Sequence, residues 1–507
     1  MRLLSALLAM AGLLIIATTA TAEPLLFQPG ENWCAAANSA EPGTTILLAP
    51  GQHDRCRLDT ARGTADEPIV IASEDPSDRA RIFSTATQNL INIEGDASHL
   101  VLRDLHFPPP GASSAVSTIK IFAGEDITIE GCLFEESTNV AIAANTGSSH
   151  TDGIVIRDNT FLDLQATAIY LGCVNGGCQS TNAVIENNFI DGVESSGIGY
   201  GIQIKVDSFA HIRNNSIFNT KGPGIMVYGA HVDHPPSIID GNFVGRSRTS
   251  GNILVGGGPA VVVNNIVFDA ETHGIHSYLH GEGGPKEGLF IAHNTILSSG
   301  GSNLFLRAWS DDENLASHNA LFPTNGDLNA QGDGTIEHNI VCADWDECAH
   351  DPHSTPFSVA PLPEGPLHGL HLLANDHVAR DFMGIGRADS ETYAGALHFP
   401  FDDGTPWLED GISRPEPVPF SGDEIDNDDD DGEHDDDGEH DDDGEHDVNG
   451  DHNDEHDRGD QDPPSDRTDG GCQCSTSRSD GSAALFLLLA LAIAIRRSQP
   501  RQHRHRL

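Results

Sequence analysis

The feature that most constrains the fold is a short phrase carrying an asparagine, which recurs through the middle of the chain. Typical copies read "IVIRDNTF" from Ile154, "HIRNNSIF" from His211 and "FIAHNTIL" from Phe290. Their asparagines follow one another at intervals of 20 to 29 residues. The eight are Asn159, Asn188, Asn215, Asn242, Asn265, Asn294, Asn319 and Asn339. A period in this range is typical of a solenoid, in which every repeat forms one coil and stacks on its neighbours.

The repeats have the pattern of strands rather than helices. Each alternates apolar and polar residues, is rich in β-branched residues and is bounded by Gly or Asn turns. A leucine-rich repeat has a similar period, but its leucine framework is absent. The sequence therefore predicts an all-β parallel β-helix of about ten coils over residues 25–345. The asparagine is expected to take the left-handed conformation at a corner and to hydrogen-bond its amide to the next asparagine of the stack.

Both ends of the chain differ from this middle part. Residues 1–22 have the pattern of a secretory signal peptide, with Arg2, an apolar stretch and the small-residue ending "ATTATA". Residues 23–402 are predicted to form the β-helix and its two caps. The stretch "RDFMGIGRADSETYAGALHF" is expected to fold back on the last coil, because the open end of a solenoid must be covered.

These segments carry a resemblance to a known class. The phrases "PGTTILLAPGQH" and "GTADEPIVIASE", the asparagine-bearing coils and "DFMGIGR…AGA" resemble secreted right-handed parallel β-helix repeat proteins over residues 25–401. The resemblance implies a right-handed β-helix. It leaves the activity open, because this scaffold carries lyases, hydrolases, epimerases and proteins without catalytic activity.

The cysteines fit an exported protein. Short spacings suggest three disulfides, which are Cys34–Cys56, Cys173–Cys178 and Cys342–Cys348. Zinc is disfavoured because the spacings lack a second matching pair. Cys132 lies in the apolar stretch "ITIEGCLF" and is predicted to be a buried thiol.

The charge is strongly acidic and unevenly distributed. The net charge is −50, of which residues 421–470 contribute −23 through 25 acidic residues against Arg458 and Arg467. Nucleic acid is therefore excluded as a partner, because phosphate binding needs a basic surface. Residues 403–470, with a repeated Asp-Asp-Asp-Gly-Glu-His unit, are predicted to form a disordered linker. The alternative reading of the linker is loose capture of Ca²⁺ or of a transition metal.

Residues 471–507 form a tail with three parts. A Gly-Cys segment holds Cys472 and Cys474, an apolar run covers residues 483–495, and five arginines follow. This order resembles the MYXO-CTERM class of bacterial sorting tails. The resemblance implies processing near Cys472 or Cys474 and retention at the cell surface, with a plain C-terminal membrane anchor as the alternative.

The second strand of each repeat suggests a functional face. Alternation directs Ile202 and Ile204 inward, so that neighbouring side chains form outward columns along the stack. One column reads Tyr170, Gln203, Met226, Leu254, His276 and Phe305, and the next reads Gly172, Lys205, Tyr228, Gly256, Tyr278 and Arg307. Aromatic rings stack on sugar rings and Lys or Arg pair with uronates. Tyr170, His276, Tyr278 and Trp309 are therefore the candidate substrate-binding residues.

Further expectations attach to this face. Gly172 and Gly256 are expected to keep parts of a groove open. Lys205 is expected to face solvent beside Tyr228. His273 and His276 are expected to point to opposite faces of one strand, and the histidines nearby, such as His231 and His234, are read as loop residues rather than metal ligands.

The segment "GIQIKVDSFAHIRNNSI…GPGIMVYG" is similar to the strand–turn–strand of the alginate lyase and chondroitinase B family. The resemblance implies β-elimination with Lys205 as base and with calcium as a candidate cofactor. Tyr228 occupies the position of the family's arginine and is the candidate acid, while Arg307 is the candidate for neutralising the uronate.

Two functions follow from the sequence. The first is a monomeric cell-surface β-helix that binds or cleaves polysaccharide, with lyase-type β-elimination as the enzymatic version. The second is a structural or adhesive envelope protein without an active site. A compact cluster of Lys205, Tyr228 and Arg307 in a cleft would favour the first, and a flat open face would favour the second.

Overall fold

The computed structural model shows an all-β parallel solenoid with almost no helix, as the sequence predicts. It describes residues 23–109, 116–147, 150–195, 199–231, 234–278, 280, 287–309, 314–324, 329–332, 334–351, 358–373, 375–387 and 392–398. Residues 1–22, the predicted signal peptide, lie outside the described part. So do residues 399–507, which contain the end of the predicted C-terminal cap, the acidic linker and the C-terminal tail. Within the described part of the chain, no helix is both long and apolar enough to cross a membrane.

Each complete coil of the described chain contributes one strand to each of three parallel sheets, which have 13, 12 and 11 strands. Sheet 1 contains Leu25–Phe27, Thr45–Leu48, Ile69–Ser73, Leu100–Arg103, Ile127–Glu130, Val155–Arg157, Ala183–Glu186, Ala210–Arg213, Ser237–Asp240, Ala260–Val263, Leu289–Ala292, Leu315–Ser317 and Thr335–Glu337. Sheet 2 contains Gln52–His53, Arg81–Ile82, His106–Phe107, Leu133–Glu135, Thr160–Leu164, Phe189–Val193, Ser216–Thr220, Phe243–Gly245, Ile266–Phe268, Thr295–Leu297, Ala320–Phe322 and Ile340–Val341. Sheet 3 contains Cys56–Leu58, Ile91–Ile93, Ile119–Ile121, Ile142–Ala144, Ile169–Leu171, Ile202–Ile204, Ile225–Val227, Ile253–Val255, Ile275–Ser277, Leu304–Trp309 and Asn329–Gly332.

Smaller elements complete the described chain. Gly124–Glu125, His150–Asp152 and Gln179–Thr181 form a three-stranded sheet between coils. Ala349–Asp351 pairs antiparallel with Ser358–Pro361. The helical elements are the α-helix Trp33–Asn38 and the 3₁₀ turns Val174–Gly176, Trp345–Glu347 and Asp376–Val378.

The interior is a continuous apolar column, because strand alternation directs every second side chain inward. In sheet 3, Ile169 pairs in register with Ile202, and Ile202 with Ile225. All three are fully buried. In sheet 2, Phe134 stacks between Phe107 and Phe161 with ring centroids 4.8 and 4.7 Å away. Burial of this column is the main favourable term in the free energy of folding.

The predicted asparagine ladder is confirmed. Nδ2 of each ladder asparagine donates to Oδ1 of the next, at 2.8–3.0 Å, from Asn159 through to Asn339. The same Oδ1 also accepts the main-chain N–H of the preceding asparagine, and Nδ2 also donates to a main-chain carbonyl, as Asn188 does to Ile156 at 2.9 Å. Each buried amide therefore has its donors and its acceptor satisfied, as buried polar groups require.

The predicted left-handed backbone of the ladder asparagines is wrong by one position. The residue before each ladder asparagine carries the positive φ angle. These residues are Asp158, Asn187, Asn214, Gly241, Asn264, His293, His318 and His338, with φ between 54° and 64°. The preceding residue makes the sharp corner, which turns the ladder amide inward, where it meets the amides above and below.

The first coil is closed by the helix Trp33–Asn38. Its Trp33 and Ala37 belong to the buried core, and Trp33 Nε1 donates to the carbonyl of Asp54 at 3.0 Å. The Cys34–Cys56 disulfide ties the helix to the first strand of sheet 3. The other two predicted disulfides, Cys173–Cys178 and Cys342–Cys348, are also confirmed, and the Cys132 thiol is buried as expected. Burial raises the pKa of Cys132 to about 12.

Residues 367–373, 375–387 and 392–398, here called the strap, fold back on the coils as predicted, but along their side rather than over their end. Arg387 Nη2 donates to Asn264 Oδ1 at 2.8 Å, and the Ala396 N–H donates to Thr295 Oγ1 at 2.9 Å. The Gly395 N–H donates to the carbonyl of His318 at 2.8 Å. These partners belong to three successive coils at the corner beside the ladder. The strap covers apolar side chains on the outer faces of sheets 1 and 2 at this corner. The sequence pattern does not distinguish these side chains from those of a solvent-exposed sheet face.

Arg387 and three histidines form a buried cluster where the strap meets the coils. Arg387 is 6% exposed, and His293 beneath it is fully buried. Burial lowers the pKa of His293 well below its ordinary value, and Arg387 lowers it further. Burial also lowers the pKa values of His318 and His398. The histidines are therefore neutral when the strap is docked.

Replacing one ladder residue tests the register. Asn215→Leu removes the side-chain hydrogen bonds to Asn188 and Asn242 and leaves the Asn188 main-chain N–H without its acceptor, so the free energy of unfolding should fall by about 1–3 kcal/mol. The matched control Ser216→Ala, one residue further and outside the ladder, should stay within about 0.5 kcal/mol. Equal effects of the two variants in urea denaturation would contradict the role of the ladder.

Acid should loosen the strap. Docking of the strap buries His293, His318 and His398 and depresses their pKa values, so the undocked state binds more protons. The stability of docking that is present above about pH 6.5 is therefore lost as the pH falls. Limited proteolysis should cut the strap faster at acidic than at neutral pH, and His293→Gln should reduce this difference. A cleavage rate that is independent of pH would refute the prediction.

Candidate functional site

The predicted register of sheet 3 is confirmed strand by strand. Tyr170 pairs with Gln203, Gln203 with Met226, and Met226 with Leu254. The column continues to His276 and Phe305. The repeats therefore place these outward side chains in the rows that the sequence implies.

The expectation that Lys205 faces solvent beside Tyr228 is wrong in its first part. Lys205 is 4% exposed and Tyr228 is 3% exposed. The two are adjacent, since Lys205 Nζ lies 3.9 Å from the centroid of the Tyr228 ring. The Tyr170 ring centroid lies 5.9 Å from the same nitrogen. A lysine over the faces of tyrosine rings in a buried setting is a cation–π interaction, which stabilises the packed face by up to about 2 kcal/mol.

Close packing between coils explains this burial. Gly172 and Gly256 do not keep a groove open, as the sequence suggests, but admit neighbouring side chains. A Cβ on Gly172 would lie 2.3 Å from Ser208 Oγ and 3.2 Å from Lys205 Cβ, and φ there is +84°. A Cβ on Gly256 would lie 3.0 Å from Met226 Cε.

Tyr228 is the centre of a small buried cluster. Val206, Met226 and Leu254 pack with it, and Tyr200 and Tyr278 lie partly buried at its edge. Gln203 Nε2 donates to the Tyr228 hydroxyl at 3.1 Å. Burial raises the pKa values of Tyr200 and Tyr278, and the neighbouring Tyr228 raises them further. Both phenols are therefore neutral and weakly acidic.

The partly exposed side of the face lies two coils further on. His276 contacts Tyr278 with ring centroids 4.8 Å apart, and Phe305 at 4.9 Å. His273 stacks on Phe305 at 4.2 Å, and His280 contacts Tyr278 at 5.9 Å. These five residues, His273, His276, Tyr278, His280 and Phe305, are called the aromatic surface below.

His273 and His276 do not point apart, as strand alternation predicts, because their rings lie 4.9 Å from each other. The strand begins only at Ile275, so His273 belongs to the preceding turn. Burial lowers the pKa of His273. For this reason the sequence did not predict that His273 belongs to the aromatic surface. It also did not predict that Tyr200 packs beside Tyr228, although its place two residues before the strand Ile202–Ile204 could have suggested it.

Arg307 is exposed, and its guanidinium carbon lies 5.4 Å from the Phe305 ring centroid, so it borders the aromatic surface. It is four strands from Lys205 in sheet 3, which corresponds to roughly 19 Å. The structure therefore brings Lys205 and Tyr228 together but does not join Arg307 to them. Trp309 ends the strand Leu304–Trp309, and its side chain lies outside the described residues.

Within the described residues, no group of three or more His, Cys, Asp or Glu side chains is arranged to hold a metal ion. His231 lies beside Asp207, whose carboxylate accepts the main-chain N–H of His231 at 2.6 Å. Asp233 and Glu282, the acidic residues near the loop histidines, lie outside the described residues.

Comparison with known proteins gives distant structural neighbours. No family model matches the chain, and no curated protein matches its sequence. The chain is similar to an alginate lyase from Paenibacillus sp. str. FPU-7, at 15% identity over 62% of this chain and 98% of that one, with a TM-score of 0.35. It is similar to pectate lyase Pel9A, at 16% identity over 72% and 90%, with a TM-score of 0.40. It is also similar to the A-module of the mannuronan C-5 epimerase AlgE4 from Azotobacter vinelandii, at 13% identity over 61% and 90%, with a TM-score of 0.42.

The neighbours are thus polysaccharide lyases and an epimerase. Identities of 13 to 16% and TM-scores of 0.35 to 0.42 assign neither a substrate nor a reaction to this chain.

Proposed function

We propose that the protein binds polysaccharide on the outer face of sheet 3, through the aromatic surface and Arg307. The observation that carries the proposal is the unbroken series of ring contacts from His273 through Phe305 and His276 to Tyr278 and His280. Its members come from two neighbouring coils and are partly exposed, unlike the buried Tyr228 ring that packs against Lys205.

The chemistry of this surface suits a sugar chain. Aromatic rings present flat apolar faces, on which the apolar faces of pyranose rings can pack, while histidine and tyrosine edges can hydrogen-bond to hydroxyl groups. Arg307 can pair with a carboxylate where the sugar has one. Because the rings stand on a paired parallel sheet, little conformational entropy is lost when a ligand orders them.

The geometry favours binding over cleavage. A base for β-elimination must come within hydrogen-bond distance of the proton that it removes. Lys205 lies against the Tyr228 ring and is 4% exposed, so a sugar could reach its nitrogen only after Tyr228 had moved. The buried pair therefore supports a role in the scaffold beneath the glycan-binding face.

We further propose that the protein is exported and held at the cell surface. The signal-like residues 1–22, the tail at residues 471–507 and three disulfides support this, because disulfides persist in oxidising compartments. The structural or adhesive alternative shares this localisation but needs no glycan.

Deleting residues 471–507 should release the protein into the medium, because the apolar run and the arginines are the proposed attachment. Fractionation of cells and medium, with the full chain as control, measures the effect. Unchanged cell association of the shortened chain would show that another part of the protein holds it.

Truncating the aromatic surface should weaken glycan binding. Phe305→Ala removes the ring that His273 and His276 both contact, so affinity for a bound polysaccharide should fall by about tenfold. Phe290→Ala, a half-buried aromatic on sheet 1, is the matched control and should leave affinity unchanged. Calorimetric titration against neutral and uronate-containing polysaccharides measures both. The structural alternative predicts no binding by any variant.

Lys205→Ala in the same titrations separates binding from cleavage. The variant should lose about 2 kcal/mol of unfolding free energy through the lost cation–π contact and packing, and should keep its glycan affinity. Full stability, combined with the loss of an ultraviolet-absorbing unsaturated product that the unmodified protein forms, would instead identify Lys205 as a catalytic base.

A further inference from the structure

The outward column of sheet 3 that ends in the aromatic surface begins with cations and amides. Its first members, in register, are Arg57, Asn92 and Lys120. The register then leads through Ala143 to Tyr170. One face of the solenoid therefore carries a charged half and an aromatic half, and the aromatic surface occupies only the second.

An open cleft lies at the charged end. Its volume is about 500 Å³, and its lining includes Arg55, Arg57, Gln88, Asn89 and Asn92. This volume lies in the range of small-molecule sites. These residues are called the arginine cleft below.

The donors of the cleft are held in place. Arg55 Nε donates to the carbonyl of Asn89 at 3.2 Å, and among the described residues no carboxylate lies within ion-pair distance of Arg55. Asn89 Nδ2 donates to Asn92 Oδ1 at 2.8 Å. The remaining Nη donors of a guanidinium fixed through Nε point away from that bond, in the fork geometry that matches a carboxylate.

The second arginine is positioned differently. Arg57 is exposed and forms an ion pair with Glu94, with Asp59 at 3.8 Å. Its guanidinium has five N–H donors, so the pairing with Glu94 does not exhaust them. On the next coil but one, Lys120 donates to Asn145 Oδ1, which holds a third cation beside the cleft. Among the described residues, the lining of the cleft contains two arginines and no acidic residue, in a protein whose net charge is −50.

We propose that the arginine cleft is a second glycan site that binds the carboxylate of an acidic sugar, with Arg55 as the principal anchor. Arg55 would receive the carboxylate in a bidentate pair, and the amides of Asn89, Asn92 and Gln88 would hydrogen-bond to neighbouring hydroxyls. The inference rests on the proposed function, because it assigns the acidic part of the same polymer to the opposite half of the same face.

The distance between the two sites sets the length of ligand that can use both. Arg57 and His276 are eight strands apart in sheet 3, which corresponds to roughly 38 Å. A long polymer can therefore occupy both sites and gain avidity, whereas a short oligosaccharide binds at one site only.

The test uses the full chain with polygalacturonate and its methyl ester, which share one sugar backbone but carry an ionised carboxylate and an uncharged ester, respectively. The double variant Arg55→Gln with Arg57→Gln should bind polygalacturonate about tenfold more weakly and the methyl ester unchanged. Arg81→Gln, an exposed arginine on sheet 2, is the matched control and should change neither. Arg55→Lys should behave nearly as Arg55→Gln, because lysine lacks the bidentate fork.

The outcomes separate this inference from the proposed function. Phe305→Ala should weaken both polymers equally, so its failure to do so would count against the aromatic surface alone. Equal weakening of both polymers by the double arginine variant, or no weakening, would overturn the arginine cleft. Thermal melting of each variant confirms that the comparison is made between folded proteins.

Discussion

The amide–amide hydrogen bond of the asparagine ladder is the interaction on which the rest of the molecule depends. An apolar column alone would permit neighbouring coils to slide by two residues, since such a shift keeps every inward side chain inward. The buried ladder amides forbid that shift, because a displaced asparagine would leave its own amide and that of its neighbour unsatisfied. The ladder thus fixes the register between coils at one corner. Because the same coils form sheet 3, the strands of sheet 3 are held in a fixed register as well.

Because the register is fixed, the residue at each outward position decides whether that part of the sheet face is buried or accessible. Where the column holds Met226, Leu254 and Gln203, and glycines stand beside them, the coils close over Lys205 and Tyr228. Where it holds His276 and Phe305, the rings remain partly exposed. The same backbone therefore carries a sealed aromatic layer and an accessible one, separated by a single coil.

Much of this could be read from the sequence, because it depends on periodicity. The columns of sheet 3, the ladder and the three disulfides follow from spacing alone. The burial of Lys205 could not be read, because it depends on how closely Gly172 lets the next coil approach. The orientation of His273 was missed because alternation applies only within a strand, and His273 precedes one. The path of the strap along the flank depends on contacts of Arg387 with a residue 123 positions earlier, which no local pattern records.

The acidic character of the chain bears on what the two halves of sheet 3 can select. At physiological ionic strength, charges more than roughly 8 Å apart in solvent are largely screened, so the distant acidic residues only weakly oppose a polyanion. The protein must then discriminate between glycans through contacts made at short range. Arg55, Arg57 and Arg307 supply cations at separated points of one face, while Tyr170, Tyr278 and Phe305 present uncharged apolar ring faces between them. A glycan whose carboxylates meet the arginines while its apolar ring faces pack on the aromatic surface matches this order, and Glu94 and Asp59 beside Arg57 limit how many carboxylates the charged end accepts.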